Sequence, residues 1–173
     1  MITLHGGCQC GRHRYSVRMD NPEGYFCHCR MCQKAFGNIF ATFINARVAD
    51  VHWDTAEPAW YLSSRIARRG FCATCGTPLA FQFLEGEYMD LSVGSLDEPG
   101  CIRPTEHTGV ESRIAGWSEP MALPESRMDD NPRVRERWQA ASAPGTQPAR
   151  LPSGRARRST RAKRAGSQAA SSS

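Results

Sequence analysis

Seven cysteines crowded into three short stretches constrain this chain more than any other feature. They read Cys8-Gln9-Cys10, then Cys27-His28-Cys29-Arg30-Met31-Cys32, then Cys72-Ala73-Thr74-Cys75, with an eighth, Cys101, standing apart. Thiols grouped in this way either cross-link a secreted chain or hold metal in a reducing one. The stretch from Met1 to Cys8 has neither the basic segment nor the apolar run of a secretory signal. No apolar run reaches membrane-spanning length either. A cytoplasmic setting is therefore expected, with no membrane partner, and the cysteines read as metal ligands.

Spacing then divides them. In the Cys72–Cys75 pair two thiolates converge on one ion from a tight turn, and Gly76 supplies the positive φ such a turn needs after its second ligand. In a pair such as Cys8 and Cys10 both side chains lie on one face of an extended segment, and a modest bend brings both sulfurs to about 2.3 Å from a zinc ion. Cys8, Cys10, Cys72 and Cys75 together make a closed four-thiolate site, which contributes folding energy and leaves no position for substrate. Cys27, Cys29 and Cys32 make a set of three, which leaves one corner of the tetrahedron for a substrate atom, as in catalytic sites. Two zinc ions are expected, one structural and one catalytic. The alternative is that Cys101 closes the second site, leaving both structural.

The rest of the chain builds a small scaffold around these groups. His13–Val17, Trp60–Ser64, Leu79–Phe83 and Tyr88–Val93 alternate with a period of two and predict strands. Ile39–Ile44 predicts a more buried strand, and Glu85–Glu87 a hairpin turn. Helix signals are few: one turn from Cys29 to Phe36 closed by Gly37, and one at Asn131–Trp138 with Asn131 as N-cap and Pro132 at the first position. The fold class is mainly β with a modest core, the kind that metal commonly staples. Of 22 basic residues seven fall between Ala141 and Ser173, where no acid occurs, so this tail carries +7 and the remainder −2 of the net +5. With Leu151 its only sizeable apolar side chain, the tail is expected to be disordered. The expected organisation is a folded domain at 1–140 and a basic tail at 141–173, and any contact with nucleic acid would run through the tail.

The same residues resemble the glutathione-dependent formaldehyde-activating enzyme family, which also includes centromere protein V. The resemblance is carried by Gly7-Cys8-Gln9-Cys10-Gly11, by Cys27 to Lys34 with Gly37, by Arg69 to Leu79, by Gly94-Ser95-Leu96-Asp97, and by Pro104–His107 with Ser112–Trp117. It spans about Thr3 to Trp138. It implies a β-tent of small antiparallel sheets around a structural zinc held by Cys8, Cys10, Cys72 and Cys75. It also implies a catalytic zinc held by Cys27, Cys29 and Cys32, and a carbon–sulfur lyase that joins formaldehyde to the thiol of glutathione, as an S-(hydroxymethyl)glutathione synthase does. A soft metal held by thiolates accepts another sulfur and favours its nucleophilic form.

Other residues are weaker candidates. His28, between two ligands, is expected to pack or hydrogen-bond, with proton transfer as its functional alternative; His107 is a second acid–base candidate. Arg30, Lys34, Arg65, Arg68 and Arg69 read as surface charges available to an anion. Nucleophilic serine, phosphate-loop and dinucleotide motifs are absent from the sequence. The competing class is a zinc-stabilised binding module without turnover, whose basic tail contacts nucleic acid.

Overall fold

The computed structural model describes residues 1–117, together with Pro132, Glu136 and Gln139. The first of its two compact units, Met1–Met121, contains both sheets. Three strands, β1 (Ile2–Gly7), β2 (Arg14–Met19) and β5 (Val51–Trp53), form one sheet in the order β1-β2-β5. The second sheet has the order β10-β3-β4-β9-β8-β7-β6. It is built from β3 (Glu23–Cys27), β4 (Ala41–Arg47), β6 (Ala59–Leu62), β7 (Ala67–Phe71), β8 (Pro78–Phe83), β9 (Tyr88–Ser92) and β10 (Arg103–Thr108). One short helix, α1 (Arg30–Phe36), leaves β3 with Cys29 as its N-cap and stops at Gly37, as its sequence signals predict. The molecule is mainly β, with antiparallel pairing throughout except where β10 runs parallel to β3.

Strand alternation gives the larger sheet two chemically different faces. Ile44, Leu91, Ala80 and Gly70 stand in register across β4, β9, β8 and β7, and Trp60 continues the row on β6. On this side Ile44, Leu91 and Ala80 join Tyr15 and Val17 of the smaller sheet in the main core, where Tyr15, Val17, Ile44 and Leu91 are fully buried. Each such side chain stabilises the fold by about 1.5–3 kcal/mol. Asn45, Asp90, Phe81 and Arg69 form the adjacent row, shifted by one residue and so on the opposite side. Tyr25, Cys27, Ala41 and Phe43 share that side by register. The first face makes the core and the second makes the site.

The expected strands at 13–17, 39–44, 60–64, 79–83 and 88–93 all appear with shifted ends. Pro104, read as punctuation between elements, instead lies within β10. That strand is the sheet edge, where proline forfeits no ladder bond. Of the expected helix at Asn131–Trp138, Pro132 and Glu136 are helical and the remainder lies outside the described residues, as does the tail from Ala141.

Candidate metal and thiol site

The fold gathers the seven clustered sulfurs into two groups. The Sγ atoms of Cys8, Cys10, Cys72 and Cys75 lie within 4.8 Å of one another, and so do those of Cys27, Cys29 and Cys32. Cys101 belongs to neither group and sits exposed on the turn Pro99–Cys101. Four sulfurs each about 2.3 Å from a tetrahedral ion stand about 3.8 Å apart. Here Cys8 and Cys10 are 3.5 Å apart and Cys10 and Cys72 3.7 Å, so the quartet fits such an ion. In the trio, Cys27 and Cys29 are 3.5 Å apart, a spacing equally suited to one ion.

Local backbone geometry presents each ligand. Gly76 takes φ 78°, as its position after the second thiol requires, and its N–H donates to the Cys72 carbonyl at 2.8 Å. The His13 N–H donates to Cys8 Sγ at 3.3 Å. Thr77 Oγ1 accepts from Gln9 N at 3.2 Å and stands 3.2 Å from Cys75 Sγ, tying the two cysteine loops together. In the trio, Cys29 caps α1, its sulfur accepting from Cys32 N at 3.4 Å. Gly109, at φ 62°, packs against that loop so closely that a Cβ would stand 2.8 Å from Cys29 N.

Each group contains a markedly acidic thiol, and in the quartet burial is outweighed at Cys8 by hydrogen bonds from the His13 N–H and neighbouring thiols, which lower it too. The hydrogen bond from the Cys32 thiol, helped by Cys29, brings Cys27 down to about 5 against the effect of burial. The same bond, together with burial, pushes Cys32 up. In the quartet the Thr77 hydroxyl and N–H bring Cys75 down to about 5. A metal ion entering either group displaces the remaining thiol protons, so binding is coupled to pH.

What separates the two groups is Arg69. Read from sequence as a surface charge, it is buried, and Nη2 donates to Cys32 Sγ at 3.2 Å. Its guanidinium lies 4.8 Å from the centroid of the Phe81 ring, and Nη1 is buried without a hydrogen-bond partner. A buried cation needs a counterion. The sulfur in hydrogen-bond contact with it is Cys32, which becomes that counterion when a metal displaces its proton. Strand geometry separates the two arginines: Arg68 and Arg69 adjoin in β7 and face opposite sides, and Arg68 instead donates to Gln82 and lies over Trp60.

The trio opens on a cavity of about 330 Å³ lined by Cys27, Cys29, Tyr25 and Arg69 with apolar neighbours. Beneath it lies Asp90, raised by burial, although Asn45 (2.7 Å from its carboxylate) and Tyr25 oppose the rise. Burial, and then the Asp90 charge, raise Tyr25. His28 is buried against the strand behind the trio, its Nε2 2.9 Å from His107 Nδ1, and the two rings stack. Burial, then Arg113 and His107, hold His28 below its ordinary value. This is a packing and hydrogen-bonding arrangement. Gln33, whose amide bridges the His28 and Ser112 carbonyls at 2.7 and 2.9 Å, fixes the same loop and gave no sign in the sequence.

Two facing sheets that gather a quartet of thiols from two distant segments and a trio from one short segment define a class, small β proteins with clustered cysteines that could hold metal. More narrowly, the chain belongs to the glutathione-dependent formaldehyde-activating enzyme family, whose profile matches residues 3–112 and so includes all seven clustered cysteines. It is 29% identical over 87 residues to an uncharacterized lyase of Schizosaccharomyces pombe, covering 50% of this chain and 63% of that protein. A crystal structure of a Rhodobacter sphaeroides protein is similar with a TM-score of 0.48 and 25% identity, covering 59% of this chain and all of that one. Among the described residues no helix is long and apolar enough to cross a membrane.

Proposed function

We propose that the protein is a zinc-dependent carbon–sulfur lyase acting on thiol–aldehyde adducts, in the manner of an S-(hydroxymethyl)glutathione synthase with glutathione and formaldehyde. The observation that carries this reading is the opening of the three-cysteine group onto a cavity, with Arg69 buried at its inner side. Cys27, Cys29 and Cys32 would hold the catalytic ion, and Cys8, Cys10, Cys72 and Cys75 a structural one. When bound, the catalytic zinc would act as a Lewis acid that favours the thiolate form of a sulfur substrate.

The chain's own residues account for the rest. Three thiolates concentrate negative charge, and the buried Arg69 guanidinium offsets it. Phe81 holds that guanidinium in place by stacking. Gly109 and Gln33 fix the loop that carries the three thiols. Turnover forms the bond between thiol sulfur and carbonyl carbon, and the proton leaving the thiol ends on the carbonyl oxygen; the reverse step returns both.

The test is Cys29→Ser, which keeps an N-cap acceptor for α1 while removing one thiolate. Glutathione-dependent consumption of formaldehyde is expected to vanish while the circular dichroism spectrum stays unchanged. Wild-type turnover by this variant would refute the reading.

A further inference from the structure

The walls of the cavity at the three-cysteine group do not match a one-carbon aldehyde. Away from the sulfurs their apolar residues are Met31, Ile66, Ala67, Phe81 and Phe83, beside the polar Tyr25, Ser64 and Thr108. Met31, Ile66 and Phe83 come from α1, from the turn before β7 and from the end of β8. They leave 50%, 64% and 52% of their surface exposed around one opening, an apolar rim of the kind that lines ligand-binding grooves. Phe81 and Phe83 pack edge to face at 5.1 Å, and Ala67 lies in register with Phe83, so the wall is continuous. Formaldehyde is on the order of one water molecule in size, about 30 Å³. The cavity holds about 330 Å³.

Charge points the same way. The lining contains two charged residues, Arg69 and Glu106. Arg69 is buried, with Nη2 committed to Cys32 and only Nη1 unpartnered, and Glu106 is an exposed acid that repels carboxylates. An anionic substituent finds no exposed cation in this lining, whereas a hydrocarbon finds a ready surface.

We propose that this cavity selects thiol–aldehyde adducts bearing an apolar substituent of several carbons, carried by either the aldehyde or the thiol. The inference rests on the lyase reading and narrows its substrate class. Met31, Ile66 and Phe83 are then specificity residues, gripping the substituent while the sulfur sits at the trio.

Two series test it on the zinc-loaded full chain. In the first, calorimetry measures the affinity for ethanethiol, butanethiol and hexanethiol. In the second, glutathione is held constant and kcat/KM is measured for formaldehyde, propanal and hexanal. At least one series should rise by about fourfold per buried methylene. The thiol series rising alone places the substituent on the thiol, and the aldehyde series rising alone places it on the aldehyde. Ile66→Ser and Phe83→Ser, both at exposed positions, should flatten the slope. Flat slopes in both series, or slopes that neither substitution changes, would overturn the proposal. Thiol binding without turnover of any aldehyde would refute the lyase reading instead, and the first series would still decide this one.

Discussion

Replacing Arg69 with methionine separates a counterion from a mere packing residue. The guanidinium nitrogen stands 3.2 Å from Cys32 Sγ. At an effective dielectric of 20, opposite unit charges at that distance attract by about 5 kcal/mol. Burial of the guanidinium offsets much of this, and a hydrogen bond to a charged group nets about 1.5–3 kcal/mol. Arg69→Met should therefore weaken metal binding at the three-cysteine group by about 10- to 100-fold, the usual range for a partner that touches a ligand without coordinating. Stability should not fall in parallel, because a buried charge exchanged for a hydrophobic side chain of similar length is often neutral or favourable. The assay is competitive zinc titration against a chromophoric chelator, with thermal unfolding measured at one zinc per chain. The four-cysteine group is the internal control, since none of its sulfurs is in hydrogen-bond contact with Arg69. Equal loss at both groups, or undiminished affinity at the trio, would refute the counterion role.

Three further substitutions probe the scaffold. Cys75→Ala should abolish the cooperative unfolding transition at neutral pH, because structural zinc supplies about 10–16 kcal/mol in small metal-held domains; a sharp transition in the variant would contradict a structural role. Gly109→Ala forces a left-handed backbone on a residue with a Cβ and drives it into the Cys29 backbone. A loss of about 1–3 kcal/mol in urea unfolding, with reduced turnover, is expected, and unchanged values would show that the loop yields freely. Asp90 is raised by burial, so the folded protein keeps a proton that the unfolded chain releases near pH 4. Its contribution is complete below that pH and is lost as pH rises through the higher folded value. Asp90→Asn removes this loss, and its stability relative to wild type should grow from about pH 4 upward in urea unfolding; a constant or shrinking difference would contradict the assignment.

Local spacing made the cysteine groups legible, because thiols two or three residues apart can reach one ion from a single bend or turn, a pattern visible within a few residues. The quartet and trio formed as their spacing suggested, and α1 follows from Cys29 and Gly37 at its ends. Strands with clean alternation were legible for the same reason. β7 was not, since Ala67-Arg68-Arg69-Gly70-Phe71 carries its charges toward specific partners rather than water. β10 was hidden by Pro104, acceptable only because the strand is an edge. The cavity wall had no local signature: Met31, Ile66 and Phe83 lie in separate segments and meet only when the sheet closes. The burial of Arg69 likewise depends on β7 lying two strands from β9, which no nearby residue announces.

The most direct measurement of the central assignment is zinc content of the full chain combined with formaldehyde consumption as a function of glutathione. Two zinc ions per chain, matching the two cysteine groups, and a saturable dependence on glutathione are expected. Two ions with no thiol-dependent turnover of any aldehyde would contradict the lyase assignment.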